Sequence, residues 1–331
     1  MTDQQSEMDQ ETSQPQEQPA KALGASGNAI GLGLEFLFSR RQQASWSLGP
    51  LVRESAPWVT AYVLARLGEI PPPRLSFTQR QQIEESLDWL MEARTPQAGW
   101  AFGGDSPDDA DSTAWAATAL RQHGRAVPQG ALQLIHRCHR PDGSFAMHPE
   151  PANKAVSGPG AADVTAIAVR ALSAIDAASS EFLAGHLRTD IEMSHGRITS
   201  AFFVASTLMD WEPCMAPWFV VNAVRQLVGQ QEAEGAWEQA LLLRCRMRLQ
   251  LQSAWPLAAA VRRLQRPDGS WAGSARLTTF QAVSGNGSAV RPEEHFDEEG
   301  VLATVTALSA LAIGDLQPGL YFGSDLPFRR L

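Results

Sequence analysis

Lysine is almost missing from this 331-residue chain. Of its 27 basic residues only Lys21 and Lys154 are lysines, and they face 36 acidic residues, for a net charge of −9. A chain this acidic is not built to neutralise phosphates, which excludes nucleic acid as a bulk partner. Cysteine is scarce as well. Cys138, Cys214 and Cys245 show no framework spacing, which excludes a disulfide scaffold and points to a reducing, cytoplasmic setting. No apolar run reaches the roughly 18 residues of a membrane span, and no signal peptide is read at the start. At most peripheral membrane contact is therefore expected. Histidine occurs seven times and is poorly placed for a Ser-His-Asp triad. A P-loop and a nucleotide-binding glycine motif are both lacking.

What is present is a large apolar complement, 44% of the residues, enough for one sizeable core. Residues 1–26 stand apart. They are rich in Gln, Ser and Pro and hold five acidic residues and one lysine, a composition that reads as a disordered tail. The remainder divides into a domain over 27–315 and a C-terminal extension over 316–331.

The domain repeats itself. Segments align on a Thr or Val seven residues before a Leu: Thr60 to Leu67, Thr113 to Leu120, Thr165 to Leu172, Val220 to Leu227 and Val301 to Leu308. The first three steps are about fifty residues, a period that fits arrays of helix pairs, and the last is long enough to hide another helix or pair. Alanine-rich segments with few β-branched runs decide for helices. Between them lie turns such as Arg140-Pro141-Asp142-Gly143-Ser144-Phe145 and Arg266-Pro267-Asp268-Gly269-Ser270-Trp271, with strong turn chemistry at Pro-Asp-Gly. Trp46, Trp100, Phe145 and Trp271 belong to these turns and are read as structural wedges. Amphipathic helices, such as Gln81 to Ala93, precede the turns and should lie outside. The alanine-rich helices should crowd around the axis. The expected fold is all-α, an array of helix pairs.

The chemistry concentrates in Gly99-Trp100-Ala101-Phe102 and the cluster Asp108-Asp109-Ala110-Asp111-Ser112-Thr113 that follows it. Several carboxylates meet one helix N-terminus beside aromatic rings. A carboxyl buried among apolar groups and like charges is pushed towards its protonated form and can act as an acid, and aromatic faces stabilise cations. Asp111 is the candidate general acid with Asp109 as its neighbour; the alternative is that Asp111 is a helix N-cap. Asp105, Asp108 and Asp109 fit either a magnesium–diphosphate site or a solvated loop. Trp58, Phe102, Trp115, Phe202, Phe203, Trp218 and Phe219 fit either a cavity lining or core packing. Arg121, Arg170 and Arg225, near inner-helix ends, fit a diphosphate or the helix dipole. His136 and His139, around Cys138, read as an outer-helix surface.

These residues resemble a family. The turns resemble the QW repeats of squalene–hopene and oxidosqualene cyclases and, more distantly, of protein prenyltransferase β-subunits. Gly99-Trp100-Ala101-Phe102 with Asp109-Ala110-Asp111-Ser112-Thr113-Ala114 resembles the family's Gly-Trp-Ala-Phe and Asp-x-Asp-Asp-Thr-Ala blocks. Asp163-Val164-Thr165-Ala166 looks like its Asp-Val-Thr-Ala-His block and Trp58-Val59-Thr60-Ala61 like its Trp-Asp-Thr block. The likeness spans about residues 28–315, one toroid where the hopene-type cyclases have two. It implies an α/α toroid, or barrel, of five to six helix pairs whose cavity opens where the inner helices begin. It also implies a class II terpene cyclase-like isomerase in which Asp111 protonates an alkene of an isoprenoid or prenylated small molecule. Phe102, Trp115, Trp58, Asp163 and Trp218 would line the substrate site. No cofactor is implied for the proton step, and magnesium only if the substrate is a diphosphate. A homodimer, a partner chain or the segment 316–331 would close the mouth.

Three positions depart from the pattern: Ser112 replaces the fourth Asp of the motif, Ile167 the His that hydrogen-bonds the acid, and Val59 the Asp of the first block. Two other readings follow. One is a repurposed toroid that binds a lipid or a partner protein. The other is a prenyltransferase β-like subunit with zinc on Glu212, Cys214 and His295.

Overall fold

The computed structural model describes residues 20–48, 56–96, 99–103, 106–149, 160–192, 198–210, 217–230, 233, 235–273, 276–282 and 290–315. Most of the N-terminal tail and the whole extension 316–331 lie outside them. The helices are α1 (Ala20–Ser39), α2 (Ala56–Leu67), α3 (Phe77–Glu92), α4 (Ala110–Gln122), α5 (Gln129–Arg137), α6 (Ala162–Leu172), α7 (Ala177–Glu192), α8 (Ile198–Met209), α9 (Trp218–Gln230), α10 (Ala236–Arg248), α11 (Ala254–Arg263) and α12 (Val301–Asp315). A hairpin of β1 (Arg276–Ala282) and β2 (Val290–Phe296) is inserted before α12.

The even-numbered helices form a closed inner ring, each packed on the next and α12 returning to α2. The odd-numbered ones pack around it, which makes six helix pairs. The inner helices are buried on nearly every side; Val301 to Gly314 of α12 is entirely enclosed. Small residues let such helices approach closely, and the Thr and Ser among them can return their hydroxyls to the backbone, as Thr306 does to the Leu302 carbonyl at 2.7 Å.

The turns weld outer to inner helices by one repeated device. The backbone N–H of Trp46, Trp100, Phe145 and Trp271 donates to the hydroxyl of Thr60, Thr113, Thr165 and Thr304, respectively, at 2.9–3.0 Å. The indole N–H of Trp46, Trp100 and Trp271 donates to the carbonyls of Leu37, Leu90 and Val261 at the ends of α1, α3 and α11. Each tryptophan wedge thus has its own backbone N–H satisfied and bonds one carbonyl at a helix end, while burying a large ring. Asp142 and Asp268 close the Pro-Asp-Gly turns by accepting from Ser144 and Ser270. The glycine there is required: Gly269 has φ +89°, and a Cβ would lie 2.2 Å from the Leu32 carbonyl oxygen.

Two repeat assignments need correction. The segment from Trp218 to Leu227 is not an inner helix. It opens α9, which packs outside on α7, α8 and α10, because only one of its faces is apolar: Val220, Ala223, Val224 and Leu227 are buried, while Trp218, Asn222 and Arg225 are exposed. The inner helices of that stretch are α8 and α10; α10 occupies the long last step. In α12 the anchoring position belongs to Thr304, not Val301, because the turn needs a hydroxyl. The hairpin lengthens the interval between wedge and anchor to 33 residues, against 13 at Trp100.

Candidate active site

The site grows from the start of α4. Asp109 is the N-cap: its carboxylate accepts from the Ser112 backbone N–H and hydroxyl, both at 2.7 Å. Asp111 is therefore not the cap but lies in the first helical turn. This separates the two roles the sequence left open for it. Ser112 holds Asp109 rather than extending the acidic cluster. The preceding loop is pinned by Asp108, whose side chain accepts from the Gly99 N–H at 3.0 Å and whose carbonyl meets His148 Nδ1 at 3.0 Å.

Asp111 Oδ2 accepts the Trp58 indole N–H at 2.6 Å, from the first turn of α2. Asp111 Oδ1 is shut off from solvent and has no hydrogen-bond partner. Burial pushes the Asp111 carboxyl well above the usual carboxylate range, and the negative charges of Asp163 and Asp109 push it the same way. The indoles of Trp58 and Trp115 oppose the shift. Burial also raises Asp109 to about 6 against its two serine hydrogen bonds. Asp163 occupies the equivalent place on α6. It has accessible surface, yet the protein around it raises its carboxyl.

Beneath the acid the bore is filled with rings. Tyr62 stacks on Trp58 at 5.6 Å and 8°, and Trp115 meets Tyr62 edge-on at 4.8 Å. Phe203 of α8 lies 6.1 Å from Tyr62 and 5.6 Å from Trp237 of α10. Phe102, half-buried, leans on Trp58 at 6.2 Å. Phe102, Asp111 and Asp163 keep accessible surface at the inner-helix starts. Trp218 is not brought into this group: it is 78% exposed on α9, with Phe219 as its ring partner. Val59 and Ile167 are buried apolar residues of α2 and α6, so neither supplies a polar partner to the acid.

Sequence reasoning missed Tyr62, Trp237 and the far end of the barrel. Trp58, Tyr62 and Arg66 recur every four residues on α2, one stripe that could have been read. The Arg66 guanidinium lies 4.9 Å from the Tyr62 ring and 5.2 Å from the Trp115 ring. There it joins Arg170, Arg244, Glu69 and Asp210 in a buried ion cluster. Arg170, one of the expected diphosphate or dipole residues, belongs to this cluster. Arg121 instead caps α6, donating to the Ala171 carbonyl at 2.6 Å.

Among the described residues no group of three or more His, Cys, Asp and Glu is placed to hold a metal ion. Asp105, Glu212 and Cys214 lie outside the described residues; His295 is in β2. No helix among them is long and apolar enough to cross a membrane.

No family model matches the sequence, and no curated relative matches it. Solved structures do. A protein from Actinoplanes is 22% identical, with a TM-score of 0.68 over 88% of this chain and 99% of that one. Type II terpene cyclase MstE from Scytonema, in an apo variant, is 16% identical with a TM-score of 0.70, covering 90% and 99% of the two chains. An Asp-to-Asn variant of MstE with its substrate, geranylgeranyl dihydroxybenzoate, is 17% identical with a TM-score of 0.69, covering 89% and 98%. The chain has the single α/α-toroid fold of these type II terpene cyclase structures.

Proposed function

We propose that this protein is a protonation-initiated terpene cyclase that acts on a prenylated small molecule, with Asp111 as the general acid. One observation carries the reading: a half-buried carboxyl at an inner-helix start whose Oδ1 is shut off from solvent, with like charges and, among the described residues, no arginine or lysine paired to it. Such surroundings favour the protonated form of the group. It lies beside rings that favour positive charge.

In the proposed step the Asp111 O–H bond breaks and its proton adds to the less substituted carbon of a terminal alkene. A tertiary cation forms and the carboxylate keeps the electron pair. Internal alkenes close rings onto the cation, and loss of a proton ends the sequence, so the net change is isomerisation. The proton step needs no metal ion; magnesium would enter only with a diphosphate headgroup. Asp109 supports the acid through its charge. Phe102, Trp58 and Trp115 supply aromatic density, and Asp163 meets the substrate at the inner-helix starts. The substrate class is taken from the fold relative, which is described with geranylgeranyl dihydroxybenzoate as substrate and merosterolic acid A as product. The working domain is 27–315, in a cytoplasmic protein. The mouth is closed by a second copy, a partner chain or residues 316–331.

The test is turnover of farnesyl and geranylgeranyl phenolic acids, wild type beside Asp111→Asn, read by chromatography and mass spectrometry. A cyclised isomer that disappears in Asp111→Asn supports the reading. Equal turnover in both proteins rules Asp111 out as the acid. The apolar residues at Val59 and Ile167 favour a second reading, a toroid that holds an isoprenoid without converting it. An isoprenoid that co-purifies and is returned unchanged would favour that one.

A further inference from the structure

Asp111 has one donor in hand and a second within one helical turn. Its Oδ2 takes the Trp58 indole N–H at 2.6 Å. Its Oδ1 and the Trp115 indole Nε1 are both buried and neither completes a hydrogen bond, although the Trp115 indole already draws the carboxyl towards its anion. The two residues are i and i+4 on α4, so they share a face, and two buried polar atoms on one face that stop short of a full hydrogen bond need an explanation. We infer that Trp58 and Trp115 form a two-indole receptor for Asp111, in which the Trp115 N–H closes onto Oδ1 when that oxygen gives up its proton.

The geometry supports a device with two states. A protonated Oδ1 carries a hydrogen and has no use for a facing N–H donor; the same oxygen, once anionic, accepts one strongly. The Trp115 ring is already held for this. Trp58 meets it at 6.4 Å and 72°, Tyr62 at 4.8 Å, and the Arg66 guanidinium lies against it at 5.2 Å. Tyr62 is fixed in turn by its hydroxyl on Thr306 at 2.7 Å. The titratable and charged groups facing the carboxyl are Asp109 of its own cap and Asp163 of α6. Both are acidic, so the indoles are the groups that favour the anion. Indole N–H donors then do here what the resemblance assigns to a histidine, at a place where this chain has Ile167. Trp115 is in this sense a positioning residue for the acid, and the inference rests on the proposed role of Asp111.

Two measurements test it. The first needs no turnover: titration of the indole N–H resonances, with Trp115 assigned by its loss in Trp115→Phe. The Trp115 signal should move downfield as pH rises through the ionisation of Asp111 and stay put in Asp111→Asn. A signal that does not titrate, or titrates alike in both proteins, overturns the receptor even if Asp111 proves to be the acid. The second is the pH profile of kcat for Trp115→Phe. Losing a donor to the anion weakens the acid, so the plateau should fall about tenfold while the alkaline limb moves up by about one pH unit, the equivalent of one charge-assisted hydrogen bond. A lower plateau with an unmoved limb would mean a packing role only. If no substrate turns over but the Trp115 resonance titrates with Asp111, the cyclase reading fails and the receptor stands.

Discussion

The two ends of the barrel bury the same kind of group and treat it in opposite ways. At the inner-helix starts, the Asp111 and Asp109 carboxyls are raised by burial, with no arginine or lysine paired to either among the described residues. At the far end, Glu69 is just as enclosed, but Arg244, Arg66 and Arg170 hold it far below the usual carboxylate range, their attraction outweighing burial. Arg66 is driven upward by Asp210 and Tyr62 in return. Burial alone therefore does not decide whether a carboxyl is an acid or an anion; its partners do. At the inner-helix starts the surroundings favour the protonated carboxyl, and at the far end they favour charges that lock helices together. The aromatic column of Trp58, Tyr62 and Trp115 runs between the two, with the Arg66 guanidinium against its lower rings.

The sharpest way to break this contrast is Asp111→Asn. Removing a general acid should lower turnover by roughly 10²- to 10⁴-fold, and the thermal midpoint should hold or rise, because an enclosed carboxyl that resists ionisation is costly at neutral pH. A large drop in midpoint would mean that Asp111 is structural. Next comes Arg244→Met, which strips Glu69, Asp210, Ser206 and Ser309 of a shared donor. Breaking a buried ion cluster in this way costs about 3–5 kcal/mol, to be read by denaturant unfolding. A loss under about 1 kcal/mol would show that the far end is not the lock described.

A smaller effect separates the ends by pH. Asp297 caps α12 through the Ala303 N–H at 2.9 Å, and burial raises its carboxyl to about 6. A carboxyl raised in the fold adds stability that is complete below its unfolded value and lost as pH climbs through about 6. Asp109 acts in the same direction. Glu69 acts oppositely: its contribution is complete above its unfolded value and lost as the medium turns more acidic. Asp297→Asn keeps a capping side chain and should recover roughly 1–3 kcal/mol at pH 8 relative to pH 4. An unchanged pH dependence of unfolding would contradict the assignment. The smallest expected effect is Thr113→Val, which takes one hydroxyl from the Trp100 N–H and should cost about 1 kcal/mol without touching the chemistry; loss of turnover at intact stability would move Thr113 into the site.

Much of this was legible beforehand because it is periodic. The spacing of Thr60, Thr113 and Thr165, the turns before them and the alanine-rich helices point to an array of helix pairs, the family resemblance implies its closure into a toroid, and the structure has six pairs. The reading failed where the pattern relied on residue type alone. Val220 matched the alignment, but α9 has one polar face and so packs outside, while α10, without the matching signature, packs inside. The place of Asp111 was legible as one of two roles. Only the hydrogen bonds from Ser112 to Asp109 show which residue caps the helix. Trp218 sits beside an aligned position in the sequence, but the alignment does not hold there and the ring lies exposed on α9.

The sequence by itself determined the repeat, the wedge turns and the gathering of carboxyls beside aromatics, since those follow from local propensity and short-range spacing. Only the tertiary structure decided which carboxyls meet arginines. Glu69 and Arg244 are 175 residues apart in the chain, and no local pattern brings them together. Closing the ring does, by delivering the ends of α2, α6, α8 and α10 to one point and the starts of α2, α4 and α6 to the other. Ionisation then follows from that placement, because a buried charge persists only where an opposite charge reaches it.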